Sequence, residues 1–350
     1  MAYEKLQILI PAYKPDERLN KLTDDLKAAG FMNIVIVDDG GGEPYKDIFT
    51  KASAQGATVL THEVNRGKGA ALKTGLGYIC KNAPDSYVVT ADCDGQHRPE
   101  DIRKLADAIP ANPDSLLLGS RDKKLMPPRS KAGNTLTCFV FFITNGQWVK
   151  DTQTGLRVLP PNTLERFSRI DGDRYEYEMN MLVIARHEKI RITEVEIETI
   201  YIDDNASSHF NALRDGMRIY KLLLRQFFRF AGASVVSFAV DYLAAYILRL
   251  IFPGQIYIPT YGARLISSVL NYNLNKKLVF RSGGDKWSAV KYFALVVCTI
   301  VINSLIIQLF TNLFGNSNGL YMLGKVIADV IMFFVNYLVQ KNFIFNKKAG

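Results

Sequence analysis

Two aspartates one residue apart, Asp92 and Asp94, follow the apolar run of YVVTADCDGQH (87–97). Carboxylates are hard oxygen donors of the kind that Mg²⁺ and Mn²⁺ take, so the pair could hold a divalent cation. Taken alone, a solvated turn after a strand is the simpler reading, and His97 reads as structural. A second acidic pair, Asp38-Asp39, closes NIVIVDDG (33–40), and Pro11-Ala12-Tyr13 closes LQILIPAY (6–13). NRGKGAALKTG (65–75) adds glycines and Lys68. It does not match GxxxxGK[ST], yet a lysine at a helix start can meet an anion through its charge and the helix N-terminus.

These groups need a scaffold that gathers them. Apolar runs of strand length (6–13, 33–40, 57–63, 86–92 and 115–120) alternate with helix-like stretches such as Glu17–Ala29 and Gly67–Asn82. That alternation predicts an α/β domain with a largely parallel sheet buried on both faces. Ligands bind such sheets at the carboxyl ends of the strands, where the polar clusters sit.

From Phe230 onward the composition changes: long apolar stretches dominate and acids are few. Four spans of roughly the 20 residues that cross a bilayer are expected at about 230–252, 258–278, 289–314 and 320–342. The second is cut short by Asn271, Asn273 and Asn275. Arg225 and Arg229 precede the first span, Lys276, Lys277, Arg281 and Lys286 lie between the second and third, and Lys347 and Lys348 follow the fourth. The positive-inside rule then places the soluble part, the middle loop and the C-terminus in the cytoplasm, at a plasma membrane. Residues 213–229 carry Arg214, Arg218, Lys221, Arg225 and Arg229 at helical spacing, a basic stripe suited to anionic headgroups. Thr135–Val149 is aromatic-rich and too short to span, and suits the interface. The net charge of +9 is therefore assigned to membrane and not to nucleic acid. MAYEKLQILIPAYKP lacks the layout of a signal peptide, and the four cysteines form no CxxC pair, which suits a reducing compartment.

The apolar part repeats itself. Asn271-Tyr-Asn-Leu-Asn-Lys-Lys-Leu-Val-Phe280 parallels Asn336-Tyr-Leu-Val-Gln-Lys-Asn-Phe-Ile-Phe345, while Arg229 and Lys291 each precede a polar residue, Asp241 and Asn303, by twelve positions. Two copies of a two-helix hairpin are expected, serving as anchor, dimerisation unit or transporter. Asp241, Arg264, Lys325 and Asp329 fall inside the spans, where charges need partners or a wet cavity.

IPAYKP, Asp38-Asp39, NRGKGAAL, ADCDGQH, GSR (119–121) and DTQTGLR (151–157) occur in the order and approximate spacing of the family 2 glycosyltransferases. Residues 5–215 most resemble the branch of polyprenyl-phosphate glycosyltransferases and dolichol-phosphate mannose synthases, and the tail is similar to GtrA-like membrane proteins. The resemblance implies a GT-A fold, Rossmann-like with a mostly parallel sheet, over residues 1–212. A basic amphipathic interfacial helix over 213–229 and an all-α domain of four transmembrane helices over 230–350 follow it. It implies Mg²⁺ or Mn²⁺ held by Asp92, Asp94 and Gln96, with Pro11, Ala12, Tyr13, Asp38, Asp39, Lys68, Asp92 and Gln96 around the nucleotide-diphosphate sugar. Cys93 stands where the family more often has a small residue such as Ala, and reads as a small buried side chain.

A sugar hydroxyl acceptor would need a base, whereas a lipid phosphate is ionised near neutral pH and must instead be bound and placed in line. The resemblance, through the family's use of a GSR arginine and later basic residues, then implies Asp94, Arg121, Arg129 and Arg214 as the catalytic set. The implied reaction is inverting transfer of one sugar, with UDP-glucose as the first choice of donor. UDP-GlcNAc, UDP-galactose and GDP-mannose stand behind it. The acceptor would be polyprenyl phosphate, undecaprenyl in a bacterium, and a dimer or tetramer would suit the duplicated hairpins. The rivals are a processive polysaccharide synthase, to whose Gln-x-x-Arg-Trp motif Gln226-Phe-Phe-Arg229-Phe230 is a near match, a flippase acting through the tail, and a catalytically dead regulator.

Overall fold

The computed structural model describes residues 5–198, 214–281, 287–315 and 317–345. Lys286, Lys347, Lys348 and the boundary expected at residues 212 and 213 lie outside the described residues. The chain divides into two compact units, Met1–Leu223 and Leu224–Gly350.

The first unit is built on a seven-stranded sheet: β1 (Leu6–Ala12), β2 (Ile34–Asp38), β3 (Thr58–Thr61), β4 (Tyr87–Thr90), β5 (Leu116–Arg121), β6 (Arg157–Leu159) and β7 (Ile192–Ile197). Its order is β3-β2-β1-β4-β6-β5-β7. Side chains alternate across a strand, so β1 feeds two cores at once. Ile8, Ile10 and Ala12 join Leu19, Leu22 and Leu26 of α1 (Arg18–Ala28), with α2 (Lys46–Ala54) and α4 (Pro99–Ala108). Leu9 points the other way, to Leu72, Leu76 and Ile79 of α3 (Lys68–Asn82) and to Tyr177 and Leu182 of α7 (Glu176–His187). Helices cover both faces, as the continuous apolar strands require. Two further helices, α5 (Pro128–Asn145) and α6 (Leu164–Ser168), contribute Phe141, Leu164 and Phe167 to the second core. The sheet is mixed: β6 runs antiparallel to both β4 and β5, while the other pairings are parallel.

Register does the gathering. Ala12 pairs with Asp38 and Leu9 with Thr90, so the carboxyl ends of β1, β2 and β4 lie side by side. The expected interfacial stretch falls on α5 and the turn after it, where Leu136, Phe139, Phe142 and Trp148 are exposed.

The second unit holds most of α8 (Arg214–Ile251), α9 (Tyr257–Leu274), α10 (Ser288–Phe314) and α11 (Asn318–Val339). Among the described residues three helices are long and apolar enough to cross a membrane: α8, α10, and α11 continued to Ile344. The helix at the second expected span, α9, is 18 residues long and carries Pro259, Arg264, Asn271 and Asn273. Both hairpins close on a π-helical turn, Asn275–Val279 and Gln340–Ile344. There the repeat meets itself: Asn275 Nδ2 donates to Gln340 Oε1 at 2.9 Å, a pair 65 residues apart, and the Phe280 and Phe345 rings stack at 5.2 Å. Phe230, the last residue of the near match to a synthase motif, is buried against Phe280, Phe333 and Tyr337.

Candidate functional site

The strand ends open into a cavity of about 390 Å³ whose lining includes Pro11, Ala12, Tyr13, Asp39, Lys68, Asp92 and Asp94. Lys68, in the first turn of α3, sits 2.6 Å from Asp92 Oδ1 and 3.1 Å from Glu178 Oε1. Burial would lower its pKa, but the two carboxylates outweigh burial and push it above the ordinary lysine value. Burial likewise opposes ionisation of Asp92, and Lys68, His97 and Arg121 overcome it, holding the carboxyl down at about 2. Asp94 moves the other way: burial, then the charge of Asp92, raises it. Its Oδ1 accepts the Gln96 N–H at 3.0 Å. His97 is buried, and its Nδ1 accepts the Asp92 N–H at 3.0 Å, a structural role. Burial pushes the Cys93 thiol up to about 12, so it stays protonated.

Asp39 is committed to the loop before α3. Its carboxylate takes His62 Nδ1–H at 2.8 Å, Arg66 N–H at 2.9 Å and Gly67 N–H at 2.7 Å, while His62 Nε2 lies 2.9 Å from Thr74 Oγ1. Asp38 accepts the Gly41 N–H at 2.8 Å, lies outside the cavity lining, and is raised by burial. The glycines of NRGKG serve close packing: a Cβ on Gly67 or Gly69 would lie within 2.5 Å of residues 173–177, and Gly67 has φ +105°. Gly155 makes room for Asp92, whose Oδ2 would stand 2.5 Å from a Cβ there.

The expected arginines are placed differently from one another. Arg121 is held bidentately by the fully buried Asp151, with Nε–Oδ2 2.6 Å and Nη2–Oδ1 3.0 Å. Arg129 and Arg214 are exposed in the first turns of α5 and α8. None of the three, nor the buried Gln96, is among the residues lining the cavity. The lining adds Asn65, which opens the NRGKG motif, and Arg174, Tyr175 and Asp215, which no motif reveals. Tyr175 is pushed up to about 12 by burial against the opposing charge of Lys68, whose Nζ stands 5.8 Å from the ring centre. Asp215, buried in the first turn of α8, takes Arg218 Nη1 at 3.2 Å. Its signal in the sequence is an acid inside a basic stripe.

The donor set suits a hard divalent cation. Two cavity-lining carboxylates repel one another while the nearby ammonium group is already shared with Glu178. Among the described residues no group of three or more His, Cys, Asp or Glu could enclose a metal by itself. Mg²⁺ sites that use one or two carboxylates and fill the shell with substrate phosphates need no such group.

The sequence model of glycosyl transferase family 2 matches residues 7–177, and that of the GtrA/DPMS transmembrane domain matches residues 229–345. A UDP-N-acetylglucosamine–dolichyl-phosphate N-acetylglucosaminyltransferase of Methanococcus voltae is 31% identical over 244 residues, covering 64% of this chain and 97% of the relative. An uncharacterized protein of Methanocaldococcus jannaschii is 30% identical over 231 residues, with 64% and 93% covered. A dolichyl-phosphate beta-glucosyltransferase of Drosophila melanogaster is 24% identical over 248 residues, with 63% and 75% covered.

Proposed function

The chain belongs to glycosyl transferase family 2 and carries a GtrA/DPMS transmembrane domain, and on that footing we propose that it transfers one sugar from a nucleotide-diphosphate sugar to a polyprenyl phosphate. The observation that carries this is the cavity at the strand ends, which pairs surplus carboxylates with a half-buried lysine in a chain that spans a membrane. The relatives' names support a UDP sugar of gluco configuration, glucose or N-acetylglucosamine, and a dolichyl-type acceptor.

An oxygen of the lipid phosphate attacks the anomeric carbon, the bond from that carbon to the β-phosphate oxygen breaks, and the nucleoside diphosphate leaves with the electron pair. Inversion follows from attack opposite the leaving group. No side chain has to remove a proton, because the acceptor is already an anion near neutral pH. Asp92 and Asp94 would hold Mg²⁺ or Mn²⁺ with the donor's phosphates, and when bound the ion acts as a Lewis acid for the departing diphosphate. Lys68 keeps Asp92 ionised, and Asp151 fixes the Arg121 guanidinium for the acceptor phosphate. Arg129, Arg214 and the exposed α5 face then meet lipid on the cytoplasmic side of a plasma membrane.

Purified full-length protein with polyprenyl phosphate, Mg²⁺ or Mn²⁺ and each UDP sugar should release UDP and add a single hexose to the lipid, read by product mass. Absence of UDP release with every donor overturns the reading, and a growing polymer would turn it into a processive synthase.

A further inference from the structure

Lys68 touches two carboxylates that differ in where they lie. Asp92 lines the cavity and its side chain is 31% exposed, whereas Glu178 is not among the lining residues and its side chain is 10% exposed. Among the described residues the Glu178 carboxylate makes no other hydrogen bond or ion pair. A buried carboxylate stripped of its one cation is costly, far more so than a carboxylate open to solvent or ligand. The Lys68–Glu178 contact is therefore the one to be kept, and the Lys68–Asp92 contact the one that can be exchanged.

The backbone leaves this trio little freedom. Ala70 N–H donates to the Asp173 carbonyl at 3.0 Å, Lys73 Nζ reaches Asp173 Oδ1 at 2.6 Å, and a Cβ on Gly69 would stand 2.5 Å from Tyr177 Cβ. The start of α3, which carries Lys68, is thus fastened to the turn that opens α7, which carries Glu178. Asp92 is confined on its other side by Gly155, and its Oδ1 has Lys68 Nζ at 2.6 Å.

A divalent ion that reaches Asp92 and Asp94 alone meets an ammonium group already on one of its ligands. It has to break that contact and lie beside a like charge, in a half-enclosed site where charges act more strongly than in water. An ion that arrives with a nucleoside diphosphate is treated differently. The ammonium has three donors, so phosphate oxygens can replace Asp92 while Glu178 keeps its hold.

We propose that Lys68, anchored by Glu178, is a resident counter-cation that keeps bare Mg²⁺ or Mn²⁺ off Asp92 and yields that carboxylate when a nucleoside diphosphate enters with the ion. The proposal rests on the metal and diphosphate reading above. Lys68 and Glu178 then act as positioning residues that couple ion to nucleotide, a role separate from choosing the sugar or the lipid. Linkage makes the coupling reciprocal: UDP tightens the ion by the factor by which the ion tightens UDP.

The full chain in detergent, titrated with Mn²⁺ in the presence and absence of UDP and read by the electron paramagnetic resonance of free Mn²⁺, tests this. The parent should bind Mn²⁺ weakly alone and at least about tenfold more tightly with UDP. Lys68→Met should bind Mn²⁺ alone at least about tenfold more tightly than the parent, so that the gain from UDP shrinks. Calorimetric titration with UDP, with and without Mn²⁺, should show the same shrinkage. Lys68→Arg keeps the charge and should return the weak binding of Mn²⁺ alone. A lysine that served packing alone would, on removal, weaken Mn²⁺ binding in both states. That result, or equal affinity of parent and Lys68→Met for Mn²⁺ without UDP, overturns the proposal. Failure of the parent to bind Mn²⁺ even with UDP overturns the metal reading beneath it. Should Lys68→Met not fold, Glu178→Gln takes its place: Asp92 is then the lysine's sole carboxylate, and Mn²⁺ alone should bind about threefold more weakly. Unchanged or tighter binding in that variant overturns the assignment.

Discussion

In the cavity at the strand ends, Lys68 is gripped by two carboxylates at 2.6 and 3.1 Å, while burial and then the charge of Asp92 push the Asp94 carboxyl up. In the bundle the sharing is reversed: Asp241 and Asp329 are met by Ser267 and Asn303, and Arg264 and Lys325 are left at 3.7–3.8 Å. Both sites contain aspartates and basic residues. The first lining sets four aspartates against Lys68 and Arg174 and is suited to a cation, whereas in the second, a cavity within the bundle, two acids and two basic residues balance.

The sharpest way to break that contrast is Asp94→Ala. It removes a surplus carboxylate from the first site only, and turnover should fall by at least about a hundredfold. The thermal transition should stay unchanged, and activity close to that of the parent would end the metal role. Gly155→Ala pushes a methyl group toward Asp92 Oδ2. Metal-dependent turnover should drop about tenfold, with a stability cost of about 1–3 kcal/mol in a denaturant midpoint. A drop in stability without a change in apparent metal affinity would separate packing from ligand geometry.

The same contrast has a pH signature. Asp92 titrates at about 2, below its ordinary 3.8, so its stabilisation is present above pH 4 and is lost as pH falls toward 2. Lys68→Met removes the main attraction behind that shift. The stability gap between parent and variant should therefore be widest above pH 4 and narrow on acidification, followed by intrinsic fluorescence; a constant gap would mean that Lys68 acts through packing. The smallest effect is expected from Ser267→Ala in the bundle, which removes one neutral partner of Asp241 and should cost about 1 kcal/mol with UDP release unaffected.

The sequence displays the parts of the first site that cap strands. Pro11–Tyr13, Asp39, Asp92 and Asp94 converge because apolar runs of β1, β2 and β4 are long enough to read and their parallel register follows. Strand β6 is illegible: three residues long, it opens on Arg157, which is fully buried and takes Thr154 and Glu178 carbonyls as partners. Glu178 sits inside an ordinary helix, Tyr175 in the turn before it, and Asp215 among arginines, so only the folded chain shows that they reach Lys68 or its cavity. Asp39 illustrates the reverse error of emphasis. Its place in a linked motif suggests a group waiting for a ligand, yet three hydrogen bonds already fasten it to His62 and to the loop that presents Lys68. In the second unit the repeat is legible and the number of apolar helices less so, since α9 mixes a proline, an arginine and several asparagines into its 18 residues.

The meeting of Asn275 with Gln340 has a consequence for how such a bundle can acquire polarity. A residue touching its own counterpart marks a local two-fold axis, the arrangement of two identical subunits. Were the hairpins separate copies of one sequence, each side chain would occur twice and every charge would confront its mirror in sign. Joining them in one chain lifts that constraint. Position 264 can be arginine while its counterpart 329 is aspartate, and position 241 can be aspartate while 303 is asparagine. Covalent linkage, more than any single side chain, is what permits a symmetric frame to hold an asymmetric field.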